Sequence, residues 1–481
     1  MHVTQTDATN PFLHLQRNAE LNPTGVFLRS AETTVTNESA LVSVRKLAYE
    51  LRRLGVKPGD VIALDLPDQL SILFTEAVFH EAATSTILPK GYVADGIFAI
   101  DWVFSSGTPT PQQGARIVTV DAKFLQEVDQ NPSGISPREG AADIVRIVFS
   151  SGTTGTPNAV PFRLESDASS AAVMGSWLQG DPFLMLFDTS AAWGFGAFAL
   201  SVKHSRPFLS VGGAGQEAIV RVAIENAVTS IKASPAQLAG LVDELDSQAL
   251  TLPSVQSVFV GGTVMPPGLA TRLQRATEGC RIVSLYGSTE ARMATVRAYE
   301  SEDPFDVGQI LPGSQVEIVD EDDRILPDGE VGSVRYRHPS MAHEYLGNPE
   351  ATAKSFRNGW FYPGDLGFIR PDKGLTLAGR EVEVLNAGGV KVNPGLLDVF
   401  AVRNPKVQDA CSFEYTTGSG VRQIGIALVA DDDLDAAAFV RELAREFRSA
   451  APTLVARVDV IPRNAAGKPL RRELAAKYGE S

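Results

Sequence analysis

Residues 148–158 read VFSSGTTGTPN, a short apolar run that empties into hydroxyl side chains and two glycines and ends on proline and asparagine. Such a run predicts a strand opening into a loop. Backbone N–H groups of a glycine-rich turn can surround the oxygens of an anion, and Ser150, Ser151, Thr153 and Thr154 add hydroxyl donors. Gly152 and Gly155 let the backbone come close to whatever is held. The pattern G-x-x-x-x-G-K-[ST] occurs nowhere, so this is not a Walker loop. Composition alone leaves a polar surface loop equally open, and the stretch has to be judged by its surroundings.

Strands and helices alternate around it. Residues 39–60, SALVSVRKLAYELRRLGVKPGD, carry apolar residues at helical spacing and stop at Gly55 and Pro58. VIALDL (61–66) follows as a buried strand, and a second apolar helix is expected near 69–85. The order recurs within 207–245, where PFLSV, a glycine cluster and EAIVRVAIENAV follow one another. VQSVFV (255–260) and RIVSLYG (281–287) read as strands running into loops. The alternation predicts an α/β fold, a layered body with parallel strands. From 315 to 345, shorter strands joined by turn signals such as PDGE predict a small β-rich subdomain. Near the end, SFEY, QIGIALVA and ARVDVI surround the amphipathic LDAAAFVRELAREFRSA, which predicts a small α+β domain. The joint falls near Gly379-Arg380, giving units 1–379 and 380–481.

Bulk properties remove several classes. A chain of 481 residues is too long for one core, and 44% hydrophobic with 21% charged residues is an ordinary globular composition. A net charge of −14 speaks against nucleic acid as the main partner, though not against a small anion held locally. Cys280 and Cys411 stand far apart without a C-x-x-C partner, which argues against a disulfide framework or zinc site and suits a reducing cytoplasm. There is no basic start followed by an apolar core, and no apolar stretch approaches the ~18 residues that cross a membrane. His80 reads as a packed residue, and neither H-E-x-x-H nor G-x-S-x-G occurs. GAGQEA (213–218) and GFGAFA (194–199) imitate the dinucleotide fingerprint of dehydrogenases, but a lone match of this kind is weak.

Five stretches in order carry more weight: VFSSGTTGTP (148–157), SLYGSTEA (284–291), GWFYPGDLG (359–367), GREVEVLNAGGVKVNP (379–394) and PRNAAGKPLRR (462–472). Together they resemble the acyl-adenylate-forming (AMP-binding) superfamily, which contains acyl-CoA synthetases, peptide-synthetase adenylation domains and luciferases. The resemblance spans nearly the whole chain. It implies a large N-terminal domain for ATP and acid and a small mobile C-terminal lid carrying a catalytic lysine. It also implies a reaction. A carboxylic acid joins the α-phosphate of ATP, pyrophosphate leaves, and the acyl group passes to a thiol of coenzyme A or of phosphopantetheine on a separate carrier protein. Amide-forming and amino-acid-activating relatives share the first step, so an amine acceptor stays open, as does a binder that has lost catalysis.

By that resemblance, Ser150, Ser151, Gly152, Thr153, Thr154 and Gly155 cradle the outer phosphates of ATP. Thr289 contacts the α-phosphate, with Gly287 and Ser288 in the same motif, and Glu290 holds Mg²⁺. Tyr286 stacks on adenine beside Gly262, Asp365 accepts from the ribose hydroxyls, and Arg380 supports the same sugar. Lys468 bridges the substrate carboxylate and the α-phosphate, neutralising charge as the bond forms. Gly388 and Gly389 match the segment lining the pantetheine tunnel. The acid pocket is expected between 187–198 and Gly261, with Trp193 and Phe195 as an apolar wall for an aryl, alicyclic or medium alkyl acid, and Phe198 more of a core residue. Asp188, in FDTS, leaves open an acid with an α-ammonium group. Alone, each residue has a plainer reading: Asp365 a turn former, Lys468 a loop cation, Glu290 a cap.

Two positions depart from the family pattern. Asn158 stands where the loop commonly ends in lysine, which is expected to weaken but not abolish the grip on the phosphates. Val382, beside Glu383, stands where a polar hinge residue is common. The region between roughly 88 and 140 is also short.

Overall fold

A computed structural model describes residues 10–150, 157–163, 182–299, 305–381, 385–387, 390–392, 394–404, 406–418, 420–463 and 469–478. The expected helix within 39–60 spans Asn37–Leu54. Thr36 and Ser39 form a reciprocal capping box at its start, and Gly55 in the left-handed region stops it. Ala40, Val44, Leu47, Ala48 and Leu51 bury one face. The second helix, Asp68–His80, ends sooner than its apolar run because the chain turns at Ala82 (φ 54°) into the strand Thr84–Thr86.

These helices serve a six-stranded sheet in the order Arg116–Thr119, Trp102–Ser105, Val61–Asp65, Thr84–Thr86, Ile144–Ser150, Asn158–Arg163. Neighbours are parallel except the last pair, where Asn158–Arg163 returns antiparallel and Ser150 lies opposite Asn158. The glycine-rich stretch therefore joins two strands of a hairpin rather than a strand and a helix; residues 151–156 themselves lie outside the described residues.

The second sheet has 15 strands and changes character at one of them. Arg281–Ser288 pairs parallel with Ser257–Val260 on one side and antiparallel with Arg292–Ala298 on the other. Beyond the first neighbour lie the parallel strands Ser230–Ala233, Phe183–Met185 and Phe208–Ser210, with helices such as Pro235–Gln248 and Pro267–Ala276 packed on an apolar core of Leu238, Leu241, Val258 and Leu273. Beyond the second lies the expected β-rich part, including Asp306–Ile310, Gln315–Val319, Gly332–Arg337, Asp365–Ile369 and Gly374–Arg380. Parallel pairing needs a long crossover connection, usually a helix, whereas antiparallel pairing needs only a turn; in the β-rich part after 288 most connections are turns or short loops, the stretch that holds the helix Pro349–Ser355 excepted.

After Gly379 a ribbon of Leu385–Ala387 and Val390–Val392 leads to a three-stranded sheet, Val407–Thr416, Arg422–Ala430 and Leu454–Arg457. The amphipathic stretch forms the helix Ala436–Phe447, capped by Asp435, and buries Phe439 and Leu443 against Leu397, Ile424, Ile426 and Leu428. The third strand starts at Leu454, earlier than ARVDVI implied, in parallel register with Gly425–Leu428. Both cysteines are buried and free. Among the described residues no helix is long and apolar enough to cross a membrane.

Candidate active site

Ile144–Ser150, Ser257–Val260 and Arg281–Ser288 end at one cleft of about 1630 Å³, the place where open α/β sheets hold ligands. Its walls include Ser150, Asn158, Trp193, Gly261, Gly262, Tyr286 to Glu290, Asp365 and Arg380, and all five sequence stretches contribute to it, the last through Arg463 and Arg471. Residues of the last hundred, among them Asp398, Asp409, Arg463 and Arg471, close another side.

One end is held by a chain of three side chains. Asp365 begins one strand and Arg380 ends its antiparallel neighbour, and their register sets them directly opposite. Arg380 Nε donates to Asp365 Oδ1 at 2.9 Å, and the Tyr286 hydroxyl donates to Oδ2 at 2.7 Å. Asp365 is buried, so its charge needs these partners. Loss of water and then the adjacent carboxylate push the Tyr286 hydroxyl well above its ordinary range, which keeps it a donor at working pH. A carboxylate offers about four acceptor positions, so Asp365 retains capacity for a ligand hydroxyl pair. Tyr286 is thus tied through its hydroxyl as well as presenting its ring.

The turn between Arg281–Ser288 and Arg292–Ala298 carries Thr289 and Glu290. Gly287 is required beneath it, because a Cβ there would stand 2.2 Å from the carbonyl oxygen of Arg292. Glu290 is not a helix cap. Its carboxylate accepts from the Tyr345 hydroxyl at 2.8 Å, and its backbone carbonyl accepts from Ala342 N at 2.7 Å. Glu290 is buried at the cleft wall, and burial followed by the Glu290 charge pushes the Tyr345 hydroxyl up, so it too remains a donor.

At the hairpin, Asn158 Oδ1 accepts from Asn348 Nδ2 at 2.9 Å, and Leu346 N donates to Ala159 O at 2.9 Å. Asn348 also caps the helix Pro349–Ser355 through Ala351 N. The position that departs from the family pattern is therefore a docking point for this helix. Tyr345 and Asn348 escaped the sequence reading. An Asn before Pro signals a helix start, but nothing local signals its contact with a residue 190 positions away.

The apolar end follows helical periodicity. In the helix Ala192–Lys203, Trp193, Gly196 and Leu200 face the cleft. Trp193 lies against Phe187 (ring centroids 5.2 Å apart) and over Gly261, where a Cβ would come within 2.8 Å of its ring. Phe195 is not part of the wall: it is buried among Phe79, Phe162 and the Arg146 guanidinium, because two residues after Trp193 the helix has turned to its opposite face. Phe198 is core, as expected, against Phe27 and Phe208. Asp188 does not line the cleft either; it is exposed and accepts from the backbone N–H of Ser190 at 2.9 Å, shaping the turn that leads into the helix. GFGAFA lies within that helix rather than at a strand-to-helix turn, and GAGQEA, which does open the helix Gln216–Glu225, contributes nothing to the cleft walls. Ser151, Gly152, Thr153, Thr154, Gly155, Gly388, Gly389 and Lys468 lie outside the described residues, as do Val382 and Glu383.

A cleft at the strand ends, walled by these motifs and large enough for a nucleotide and an acid together, defines an α/β enzyme that handles an adenylate. Residues 103–346 match the model of the family described as AMP-binding enzyme, and the chain belongs to that family. It is 26% identical over 422 residues to the fatty acid–[acyl-carrier-protein] ligase MmaC of Mycobacterium marinum, covering 82% of this chain and 76% of that one. It is 25% identical over 493 residues to the 2-succinylbenzoate–CoA ligase of Geobacillus kaustophilus, covering 96% of each. A crystal structure of ATP-bound MatB from Rhodopseudomonas palustris shares the fold at a TM-score of 0.83, with 19% identity over 98% of this chain and 99% of the other.

Proposed function

We propose that this chain uses ATP to activate a carboxylic acid as an acyl-adenylate and then passes the acyl group to the thiol of coenzyme A or of a carrier protein. The observation that carries the reading is the Tyr286–Asp365–Arg380 chain, beside the Thr289-Glu290 turn and the Ser150–Asn158 hairpin in one cleft. A carboxylate oxygen attacks the α-phosphorus, the bond to the bridging oxygen breaks, and pyrophosphate leaves with that electron pair. In the second step the thiol sulfur attacks the acyl carbon, the acyl C–O bond to the phosphate breaks, and AMP leaves with that electron pair while the thiol proton passes to solvent.

The residues present match these needs. Asp365, oriented by Arg380 and Tyr286, accepts from the ribose hydroxyls and fixes the α-phosphate relative to Thr289. Ser150 and the following residues to Gly155 contribute donors to the outer phosphates. Lys468 places positive charge between acid and phosphate. Among the described residues no cluster of three or more candidate ligands could cage a metal, but Mg²⁺ is commonly held by one or two carboxylates plus the substrate's phosphates. Glu290, a single carboxylate oriented by Tyr345 at the cleft wall, fits that pattern. Bound there, Mg²⁺ would offset phosphate charge as the bond to pyrophosphate breaks. Trp193, Phe187 and Gly261 favour an acid with an apolar or aryl body over a strongly polar one. The division into units 1–379 and 380–481 is supported by the separate apolar core of the last hundred residues, and Gly388 and Gly389, from their motif, are assigned to admitting the pantetheine arm.

Acid-dependent pyrophosphate release, measured with ATP, Mg²⁺ and a panel of aryl, alkyl and amino acids, tests this. Release driven by one class of acid, stimulated by coenzyme A and abolished in Lys468→Ala, is the expected result. Stimulation by amines alone would move the second step to amide formation. Absence of release with every acid, with ATP still bound, would reduce the function to nucleotide binding.

A further inference from the structure

The phosphate end of the cleft is short of positive charge. Among the described residues there, Ser150, Asn158, Thr289, Tyr345 and Asn348 are neutral and Glu290 is acidic. Most cations elsewhere in the walls are engaged: Arg380 with Asp365, Arg463 with Asp409, Arg471 with Asp398, and Arg272 with Asp243 and Asp246, while the exposed Arg275 sits in the last turn of the helix Pro267–Ala276, on a different element from the hairpin and the Thr289-Glu290 turn. Arg292 is stacked over Phe162 and Arg357 over Tyr362. Beyond the Mg²⁺ proposed at Glu290 and the Lys468 proposed for the α-phosphate, the outer phosphates brought to this end would meet hydroxyls and amides rather than a side-chain cation.

Lys354 meets that need. It lies on the helix Pro349–Ser355, whose cap Asn348 holds Asn158 at the end of the hairpin. Asn348, Ala351 and Ser355 face the cleft at helical spacing, and Lys354 lines it beside them. It is exposed, and it forms no ion pair or hydrogen bond with the described residues. Its plain alternative is to complement the helix dipole from the last turn. That role requires no place on the cleft wall, and charge at a helix terminus acts equally whether or not nucleotide is bound.

We propose that Lys354 supplies the side-chain cation for the outer phosphates of ATP and for the departing pyrophosphate, delivered from a helix that Asn158 anchors to the hairpin. The inference rests on the cleft being the ATP site proposed above. It assigns the Asn158 position a positional role in place of a charged one: the asparagine holds the element that brings the charge.

AMP lacks the two phosphates in question, so the comparison of ATP with AMP isolates the effect. Calorimetric titration of the full chain with each nucleotide in Mg²⁺ buffer, for wild type and Lys354→Gln, is the test. The expected result is a fall of about five- to tenfold in ATP affinity, as for loss of an exposed charge-assisted contact, with AMP binding unchanged. Lys354→Arg should retain ATP affinity, and Asn158→Lys in the Lys354→Gln background should restore it. Equal losses for ATP and AMP, or no loss for either, overturn the assignment. A wild-type chain that binds neither nucleotide overturns the reading of the cleft itself, and the inference with it, and is told apart by the wild-type titration alone.

Discussion

The two ends of the cleft are held together differently. At the end proposed for the sugar, Asp365 and Arg380 face each other across one antiparallel pair, and Tyr286 completes the chain from the same sheet. Each group is fixed by another before any ligand arrives. At the end proposed for the phosphates, a hairpin, a turn and a helix from separate parts of the chain meet through isolated contacts rather than a shared ladder: the side-chain bonds of Asn348 to Asn158 and Tyr345 to Glu290, each beside one backbone bond, Leu346 to Ala159 and Ala342 to Glu290. Sheet register sets geometry at no extra cost in side-chain order, whereas contacts between separate elements must each be ordered. The first end is built to hold adenosine in one pose, and the second leaves its donors to be gathered by the ligand.

Removing the carboxylate of the first end tests this contrast most severely. Asp365→Ala leaves Arg380 and Tyr286 without their shared acceptor and is expected to lower acid-dependent ATP–pyrophosphate exchange by about 100- to 1000-fold, the scale of losing one preorganised polar group from an active site. AMP affinity in the same variant should fall with it. If Asn158→Ala proves equally damaging, the two ends do not differ in the way claimed. Next in size is Tyr345→Phe, which strips the donor from the buried Glu290 carboxylate. A lost bond to a buried charged group costs about 1–3 kcal/mol, or roughly five- to 150-fold in exchange rate, and a higher Mg²⁺ requirement would place the loss at the carboxylate. Asn158→Ala breaks a neutral contact worth about 0.5–1.5 kcal/mol, so a loss of only about two- to twelvefold, confined to KM for ATP, is expected.

The sequence made one of these ends more legible than the other. Asp365, Arg380 and Tyr286 stand in recognisable motifs, and an antiparallel register then brings the first two together with little freedom of choice. Ser150 and Glu290 were likewise marked by their motifs. Tyr345, Asn348 and Lys354 were not, because their contacts arise from where a short helix docks, and no local pattern encodes a partner nearly two hundred residues away. The apolar wall shows the same limit. Three aromatics within six residues of the helix 192–203 cannot all face one side; Phe198 reads as core from the sequence, but only the packed structure decides that Trp193 lines the cleft while Phe195 joins Phe198 in the core. The fold class, by contrast, was plain from alternating strands and helices, because the spacing between strands dictates whether their pairing is parallel.

The smallest expected effect belongs to Asp188, and it separates two readings of the acid. Were Asp188 the partner of a substrate ammonium group, its replacement would abolish activity with amino acids and spare other acids. Its position argues for another task. The carboxylate is turned onto Ser190 N, and its charge helps offset the burial of Arg146, whose guanidinium is pushed down to about 10 chiefly by desolvation, with Asp68 and Asp188 opposing that fall. Arg146 in turn donates to the Thr189 carbonyl at 2.8 Å, so the turn carrying Asp188 is pinned from beneath. Asp188→Asn keeps an acceptor for Ser190 and removes only the charge. Its expected cost is about 1 kcal/mol of stability or less, read as a small drop in melting temperature, with the ranking of acids in the exchange assay unchanged. A selective loss of amino-acid-driven exchange would instead return Asp188 to the substrate and make this end of the cleft, like the sugar end, one that recognises its ligand through charge.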